Sequence, residues 1–162
     1  MGKQLGKKLA AGDSAPAFDL PSDSGENVKL GDFKGHPVVL YFYPKDNTPG
    51  CTREAQAFTK LAPAFKKAGA TVLGVSKDSV DSHCGFRDKL KLKIPLLSDP
   101  GLDVHKAYGA YGEKVLYGKK TVGVIRSTFL IDGKGKIARA WSSVKVDGHA
   151  ESVLEAVKAL DA

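Results

Sequence analysis

Cysteine is scarce in this sequence of 162 residues, which contains only Cys51 and Cys84. Two cysteines are too few for a disulfide-stabilised scaffold. In a reducing compartment they indicate catalysis, redox sensing or simple packing. The cysteine-x-x-cysteine motif of disulfide oxidoreductases is absent, because Thr52, Arg53 and Glu54 follow Cys51. This absence counts against that class of enzyme.

Metal and nucleotide motifs are also missing. The four histidines lie far apart along the chain, at His36, His83, His105 and His149. None stands at a metal-ligand spacing from another histidine or cysteine, beyond the adjacent His83-Cys84. The sequence contains neither a G-x-G-x-x-G string nor a P-loop. We therefore expect no metal, haem, flavin or nucleotide cofactor.

Long hydrophobic runs are absent as well. The longest apolar stretch is far shorter than the ~20 residues that a membrane-spanning helix needs. Residues 1–11 are basic but lack the apolar segment of a secretory signal. We therefore expect a cytoplasmic protein with no membrane partner.

The charge is unbalanced, since 25 Lys and Arg against 18 Asp and Glu give a formal net charge of +7. A nucleic-acid-binding protein would cluster its basic residues and interleave them with aromatics. Here they are scattered, apart from short pairs such as Lys66-Lys67. We interpret them as a solvated surface and expect no nucleic-acid partner. A non-enzymatic basic binding module remains the alternative of a different class.

Hydrophobic periodicity predicts alternating strands and helices. Strands are predicted at residues 37–43, 71–76, 94–98, 128–132 and 136–141, with a short hairpin within residues 16–30. Helices are predicted at residues 48–68, 79–90, 102–111 and 150–160, and Pro63 should kink the first helix or end it near Ala62. This order indicates an α/β fold with a central mixed sheet and helices on both faces. The length fits one domain over residues 1–162, with residues 1–12 as a flexible lead.

The rest of the chain is organised around the stretch from residue 43 to residue 54. It joins the first central strand to a helix, so Cys51 lies at a strand-to-helix junction. Thr48 is a natural N-cap, and Pro49 suits the first helical position because its missing N–H is not needed there. Cys51 then falls in the first turn, where unpaired N–H groups and the positive end of the helix dipole favour the thiolate. A buried structural cysteine is the alternative.

Three residues of this stretch, Pro44, Thr48 and Cys51, reproduce the P-x-x-x-T-x-x-C signature of peroxiredoxins. The longer string YFYPKDNTPGCTRE resembles the PrxQ branch of that family, also called bacterioferritin comigratory protein. Further matches are GVIRSTFLID, which contains Arg126, and VKVDGH, so the resemblance covers nearly the whole chain. It implies a thioredoxin-like fold and a thiol-dependent peroxidase.

The resemblance also implies the chemistry of the site. Cys51 would attack hydrogen peroxide or an organic hydroperoxide and become a sulfenic acid. The Thr48 hydroxyl lies within reach of the sulfur and of a bound peroxide oxygen, so it could accept a hydrogen bond from one and donate a hydrogen bond to the other. Pro44 would cover the site. Arg126 would stabilise the thiolate and the developing negative oxygen; an exposed surface arginine is its alternative. Glu54, one turn after Cys51, should face away from the sulfur, because its charge would oppose the thiolate.

The second half of the reaction depends on the other thiol. PrxQ proteins often carry a resolving cysteine five residues after the reactive one, but Gln56 occupies that position here. Cys84 lies on a different predicted helix, so a Cys51–Cys84 disulfide would need local unwinding, which Gly50 and Gly85 favour. The alternative is a one-cysteine enzyme resolved by an external thiol, with Cys84 as a core residue. The resemblance implies thioredoxin as the reductant, and we expect a monomer.

Overall fold

The structure is a computed structural model that describes residues 9–116 and 118–160. Its strands are β1 (Asp19–Pro21), β2 (Asn27–Lys29), β3 (Val38–Phe42), β4 (Thr71–Ser76), β5 (Leu96–Ser98), β6 (Tyr111–Leu116), β7 (Lys119–Val124), β8 (Ser127–Ile131) and β9 (Ile137–Ser142). Its helices are α1 (Pro49–Lys67), α2 (Val80–Leu90), α3 (Asp103–Ala107) and α4 (His149–Ala159), with a 3-10 helix at Leu30–Phe33.

Five strands form the central sheet in the order β5-β4-β3-β8-β9. β3 pairs in parallel with β4, and β4 with β5, whereas β8 runs antiparallel to both β3 and β9. Helices α1 and α2 connect the parallel strands, as crossover connections require. The predicted mixed sheet is confirmed, and β5, which follows Pro95, lies at the sheet edge, where a proline is tolerated.

Alternate side chains of β3 enter two separate cores. One core contains Val39 and Tyr41 together with residues of α1, α2 and α4. The other contains Leu40 and Phe42 together with residues of α3, β1 and the N-terminal segment. Because all five residues of β3 are buried, the strand reads as a continuous apolar run rather than an alternation. The α/β class and the helices on both faces of the sheet are confirmed.

Helix α1 passes through Pro63 and does not end near Ala62. The proline lacks the N–H that would continue the hydrogen-bond ladder, which weakens a helix locally. Phe58 and Phe65, on either side of it, are both fully buried in the same core. Their burial offsets the missing bond and keeps the helix continuous.

Residues 9–12 differ from the predicted flexible lead, whereas residues 1–8 lie outside the described residues. Leu9 is buried in the core that also contains Leu40. The Gly12 N–H donates to the Ile137 carbonyl at 2.8 Å. One apolar side chain and one backbone hydrogen bond therefore hold residues 9–12 against the fold. The composition of this segment does not indicate such contacts.

The β6–β7 hairpin replaces a stretch for which the sequence predicts no strand. The prediction that a helix reaches Tyr111 is wrong, because α3 ends at Ala107 and Tyr111 begins β6. Val115 and Val122 are 68% and 51% exposed. Because these two valines face solvent, they give no inward-facing periodicity, and the usual signal for a strand is weak.

Within the part of the chain that the structure describes, no helix is long and apolar enough to cross a membrane. The cytoplasmic location is not tested by this finding and stays a prediction.

Candidate active site

The loop after β3 places Cys51 at the start of α1. Thr48 is the N-cap residue and Pro49 the first helical residue, as predicted. The Thr52 N–H donates to the Thr48 carbonyl at 2.8 Å and closes the first turn. The N–H groups of Gly50 and Cys51 precede this bond, so they have no acceptor within the helix. The Cys51 side chain lies beside these free donors and is fully buried.

Arg126 reaches Cys51 from the neighbouring strand. Its backbone lies directly before β8, which pairs with β3 so that Ser127 faces Phe42. From there Nη2 of the guanidinium donates to Cys51 Sγ at 3.2 Å. The approach is so close that a Cβ atom on Gly50 would lie 3.3 Å from Nη2, which favours glycine at that position. The structure therefore brings together the two residues that the resemblance pairs.

Glu54 belongs to this site, and the expectation that it faces away is wrong. Its side chain is 1% exposed, and Oε1 accepts a hydrogen bond from Arg126 Nη1. The guanidinium donates to both Glu54 and Cys51, so its positive charge lies beside the carboxylate and the sulfur. Burial raises the pKa of Glu54 to about 7, against the lowering effect of Arg126. The sequence does carry a signal, because Cys51, Glu54, Ala55 and Phe58 follow the spacing of one buried helix face.

The Arg126 guanidinium stays charged in this setting. Burial lowers the pKa of Arg126, but Glu54 and Cys51 raise it by more, so the net pKa shift is upward. His149 lies close enough to be affected: burial, and then Arg126, lower the pKa of His149 to about 4. Its Nε2 shares a 2.8 Å hydrogen bond with Thr128 Oγ1. His149 is therefore neutral at physiological pH and adds no charge to the site.

Tyr41 is fully buried in the same core cluster as Cys51. Its ring stacks on Phe58 with centroids 4.6 Å apart. Burial, and then the charges of Glu54 and Cys51, raise the pKa of Tyr41 well above its ordinary value, so the phenol stays protonated. Its hydroxyl and Glu54 Oε2 are both buried without a hydrogen-bond partner among the described residues. Gly74 leaves the room for this ring, since a Cβ atom there would lie 2.9 Å from Tyr41 Cζ.

Pro44 and Thr48 lie in the loop that leads to Cys51, and both are partly buried. Thr48 Oγ1 donates to the Lys45 carbonyl at 2.7 Å. Since the hydroxyl proton is used in this bond, the oxygen remains available only as an acceptor. The sequence predicts that the Thr48 hydroxyl both donates and accepts at the site, whereas in the structure it can only accept.

Comparison with known proteins identifies the family. The matching family model is that of the AhpC/TSA family, and it spans residues 11–140, which is most of the chain. The chain belongs to the AhpC/TSA family. One relative is the peroxiredoxin Bcp of Xanthomonas campestris, which is 48% identical to this chain over 147 residues. The match covers 90% of this chain and 92% of the relative. A putative peroxiredoxin bcp of Coxiella burnetii is 49% identical over 146 residues, covering 90% and 97%.

Solved structures agree with this assignment. Peroxiredoxin Q of Xanthomonas campestris superposes with a TM-score of 0.83 at 47% identity, covering 88% of this chain and 90% of that chain. Peroxidoxin BcpB of Mycobacterium tuberculosis superposes with a TM-score of 0.83 at 36% identity, covering 94% and 98%. The resemblance to the PrxQ branch and the thioredoxin-like fold are therefore confirmed.

Cys84 of this AhpC/TSA family member lies in different surroundings from Cys51. It stands in the middle of α2 and is partly buried, and its Sγ donates to the Asp23 carbonyl at 3.2 Å. Arg87 donates to the same oxygen at 3.0 Å. Both cysteines are free thiols, so the structure does not join Cys84 to Cys51.

Among residues 9–116 and 118–160 of this AhpC/TSA protein, no three His, Cys, Asp or Glu side chains come together in a way that could hold a metal ion. The site presents a sulfur, a guanidinium and two free backbone N–H groups. Such a combination can activate a nucleophile and bind an oxygen that gains negative charge.

Proposed function

We propose that this protein is a thiol-dependent peroxidase that reduces hydrogen peroxide and organic hydroperoxides. The observation that carries the proposal is the 3.2 Å contact of Arg126 Nη2 with Cys51 Sγ, at the free N-terminal end of α1. A charged donor beside sulfur favours the anionic, nucleophilic form. A solved structure supports the proposal: that of the Xanthomonas campestris bacterioferritin comigratory protein, which has alkyl peroxide reduction activity. It matches at 46% identity and a TM-score of 0.85, covering 90% of this chain and 92% of that chain.

In the first step the Cys51 thiolate attacks the terminal oxygen of the peroxide. An S–O bond forms as the O–O bond breaks, so the sulfur is oxidised to a sulfenic acid and the peroxide is reduced. The attacked oxygen keeps its hydrogen. The other oxygen leaves as hydroxide or alkoxide and takes a proton from solvent, which yields water or an alcohol.

The surrounding groups stabilise this step. Arg126 and the N–H groups of Gly50 and Cys51 are donors placed around the sulfur, where the peroxide oxygens gain negative charge. The Thr48 oxygen accepts from the peroxide O–H and orients it for in-line attack. Pro44, in the loop before Cys51, covers the site and limits the access of water to the sulfenic acid.

In the second step Cys84 attacks the sulfenic acid sulfur. An S–S bond forms, the S–OH bond breaks, and the hydroxyl leaves as water with the proton of the Cys84 thiol. A disulfide needs Cα atoms about 4.4–6.8 Å apart. Because the two sulfurs lie in separate helices and bind different groups, we expect the first turn of α1 and part of α2 to unwind. Thioredoxin, a dithiol, then reduces the disulfide and is itself oxidised. An intrachain disulfide needs no second copy, and we propose a monomer.

One observation favours a second candidate for the resolution step. Cys84 Sγ is bound to the Asp23 carbonyl rather than to any group of the Cys51 site. If this bond persists during turnover, the sulfenic acid is instead resolved by an external thiol, and the protein is a one-cysteine peroxidase.

Turnover with thioredoxin, thioredoxin reductase and NADPH tests the proposed function. Peroxide-dependent oxidation of NADPH is expected, together with a Cys51–Cys84 disulfide in a mass map made after one equivalent of peroxide. A protein that consumes no peroxide in a single turnover contradicts the peroxidase. Salt-dependent binding of nucleic acid without peroxidase activity supports a basic binding module instead.

A further inference from the structure

A buried carboxylate lies in the loop that carries Cys51, five residues before it. The Asp46 side chain accepts hydrogen bonds from Tyr43 Oη at 2.6 Å, Ser82 Oγ at 2.8 Å and His83 Nδ1 at 2.8 Å. Asp46 is 3% exposed and His83 is fully buried. We call Tyr43, Asp46, Ser82 and His83 the Asp46 cluster.

Asp46 and His83 form a buried pair. His83 Nε2 lies 2.9 Å from the Leu97 carbonyl, and Nδ1 faces the Asp46 carboxylate. An oxygen atom therefore faces each ring nitrogen, and the ring is fixed at both ends. Burial raises the pKa of Asp46, but the hydrogen bonds from His83 and Tyr43 lower it by more, so the net pKa shift is downward and the carboxylate is charged. Removal of His83 leaves the buried Asp46 carboxylate without one of its hydrogen-bond partners.

The cluster joins the two segments that carry the cysteines. Asp46 belongs to the loop before Cys51, while Ser82 and His83 are in the first turns of α2, immediately before Cys84. The backbone N–H of Asp46 also donates to Asp78 Oδ2 at 2.7 Å, just before α2. The loop is therefore fixed to the start of α2 by side-chain and backbone bonds.

The chain changes direction directly after this anchor. Asn47 has a φ of 65°, a left-handed conformation that asparagine tolerates better than most residues. The first turn of α1 follows, and Arg126 holds its far end through Cys51 and Glu54. The segment 47–51 therefore lies between two charged anchors, one at Asp46 and the other at Arg126.

We propose that Asp46 and His83 are positioning residues that hold the 47–51 segment in the conformation in which Cys51 faces Arg126. The inference rests on the proposed function and adds that the Asp46–His83 pair sets the rates of its two steps. The first step needs Cys51 in place against Arg126, whereas the second needs Cys51 to leave that position. Loss of the Asp46–His83 pair therefore changes the two rates in opposite directions.

Asp46→Asn and His83→Gln test this inference, because each keeps the size of the side chain but removes the carboxylate or the imidazole. The matched control is His105→Gln. His105 is also fully buried and also bonds a carboxylate, with Nδ1 2.7 Å from Asp99 Oδ2. It lies in the other core, against Phe42. Loss of general stability alone would affect all three variants alike.

Three quantities are measured in each variant: the rate of sulfenic acid formation, the rate of its disappearance, and amide hydrogen exchange of residues 50–54. The sulfenic acid is allowed to react either within the chain or with an added thiol, so the result does not depend on Cys84. In Asp46→Asn and His83→Gln we expect exchange to rise about tenfold, sulfenic acid to form more slowly and to disappear faster. In His105→Gln the ratio of the two rates should match that of the parent.

The inference is overturned if Asp46→Asn and His83→Gln change both rates in the same direction, or no more than His105→Gln does. If Asp46→Asn does not fold, Ser82→Ala removes a single bond to Asp46 and should shift the ratio in the same sense by a smaller factor. A parent protein that consumes no peroxide would instead contradict the proposed function, so the two failures are distinguishable.

Discussion

The two cysteines differ in the direction of their hydrogen bonds. Cys51 Sγ accepts from the Arg126 guanidinium, whereas Cys84 Sγ donates its proton to the Asp23 carbonyl. A donated S–H bond keeps a proton on sulfur, while an accepted charge-assisted bond favours sulfur without one. Each cysteine has an arginine nearby, but Arg87 binds the Asp23 carbonyl rather than the Cys84 sulfur.

This contrast shows that an arginine near a thiol need not bind its sulfur. The guanidinium must point its donors at the sulfur, and at Cys51 the buried Glu54 fixes that orientation by binding the other end of the Arg126 fork. Cys84, by comparison, has no guanidinium donor at its sulfur and is bound to the Asp23 carbonyl. The following predictions test this contrast, beginning with the largest expected effect.

Exchange of each cysteine for serine should separate the two thiols completely. Cys51→Ser removes the nucleophile but hardly changes the size of the side chain, so we expect a folded protein with no peroxide consumption. Cys84→Ser should still consume one equivalent of peroxide at the parental rate. Stopped-flow measurement of a single turnover distinguishes the two variants. Peroxide reduction by Cys51→Ser would show that the two thiols had been assigned the wrong way round or that neither reacts.

Repeated turnover should fall sharply in Cys84→Ser. Serine still donates to the Asp23 carbonyl, so the fold is preserved, but the sulfenic acid of Cys51 has no partner within the chain. We expect it to accumulate and to oxidise further to the sulfinic acid, as measured by intact mass after excess peroxide. Turnover with thioredoxin equal to that of the parent would make Cys84 a core residue and the protein a one-cysteine enzyme.

Arg126→Ala should slow sulfenic acid formation by about a hundredfold or more, because a charged donor to the transition state is lost. Arg126→Lys should slow it less, since lysine keeps the charge but cannot bind Glu54 and Cys51 together. The matched control is Arg87→Ala, which removes the arginine beside Cys84 and should leave this step unchanged. Equal rates for the parent and both Arg126 variants would remove Arg126 from the mechanism.

Glu54→Gln should alter the pH dependence of stability. The pKa of Glu54 is raised from 4.5 to about 7 by burial, so the folded protein binds this proton more tightly than the unfolded chain does. The stabilisation is fully present below the unfolded pKa and is lost as the pH rises through the folded pKa. Between these values the parent should lose up to about 3 kcal/mol of unfolding free energy relative to Glu54→Gln. Urea denaturation across this pH range measures the difference; parallel curves would contradict the raised pKa.

Local signals were sufficient for the sulfur and its helix. The apolar run of β3, the cap at Thr48 and the proline at Pro49 define the junction at Cys51 without any knowledge of the fold. The pairing of Arg126 with Cys51 came from the family resemblance, because the residues are 75 positions apart and meet only through the β3–β8 pairing.

The parts that sequence reasoning missed depend on compensation between distant residues. The sequence predicts that Glu54 faces away from the sulfur because its charge would oppose the thiolate, whereas in the structure Arg126 stands beside the carboxylate and offsets part of the cost of burying it. The burial of Asp46 and His83 is equally hard to predict from the sequence, since burying either polar side chain is unfavourable unless the other is there to bind it. In the β6–β7 hairpin Val115 and Val122 face solvent, so the pattern of burial that would reveal these strands is weak.

The close approach of Tyr41 to Gly74 has a consequence for how this sequence can evolve. The two residues are register partners on β3 and β4, and the phenol ring occupies the space where a side chain at position 74 would stand. Any larger residue at position 74 would push the ring toward Phe58 and the helix that carries Cys51. The two positions should therefore covary, with a small residue required at one whenever the other is large. A library randomised at both positions and selected for peroxide resistance should return tyrosine with glycine, or a bulkier residue 74 with a reduced residue 41, and no pair in which both are large.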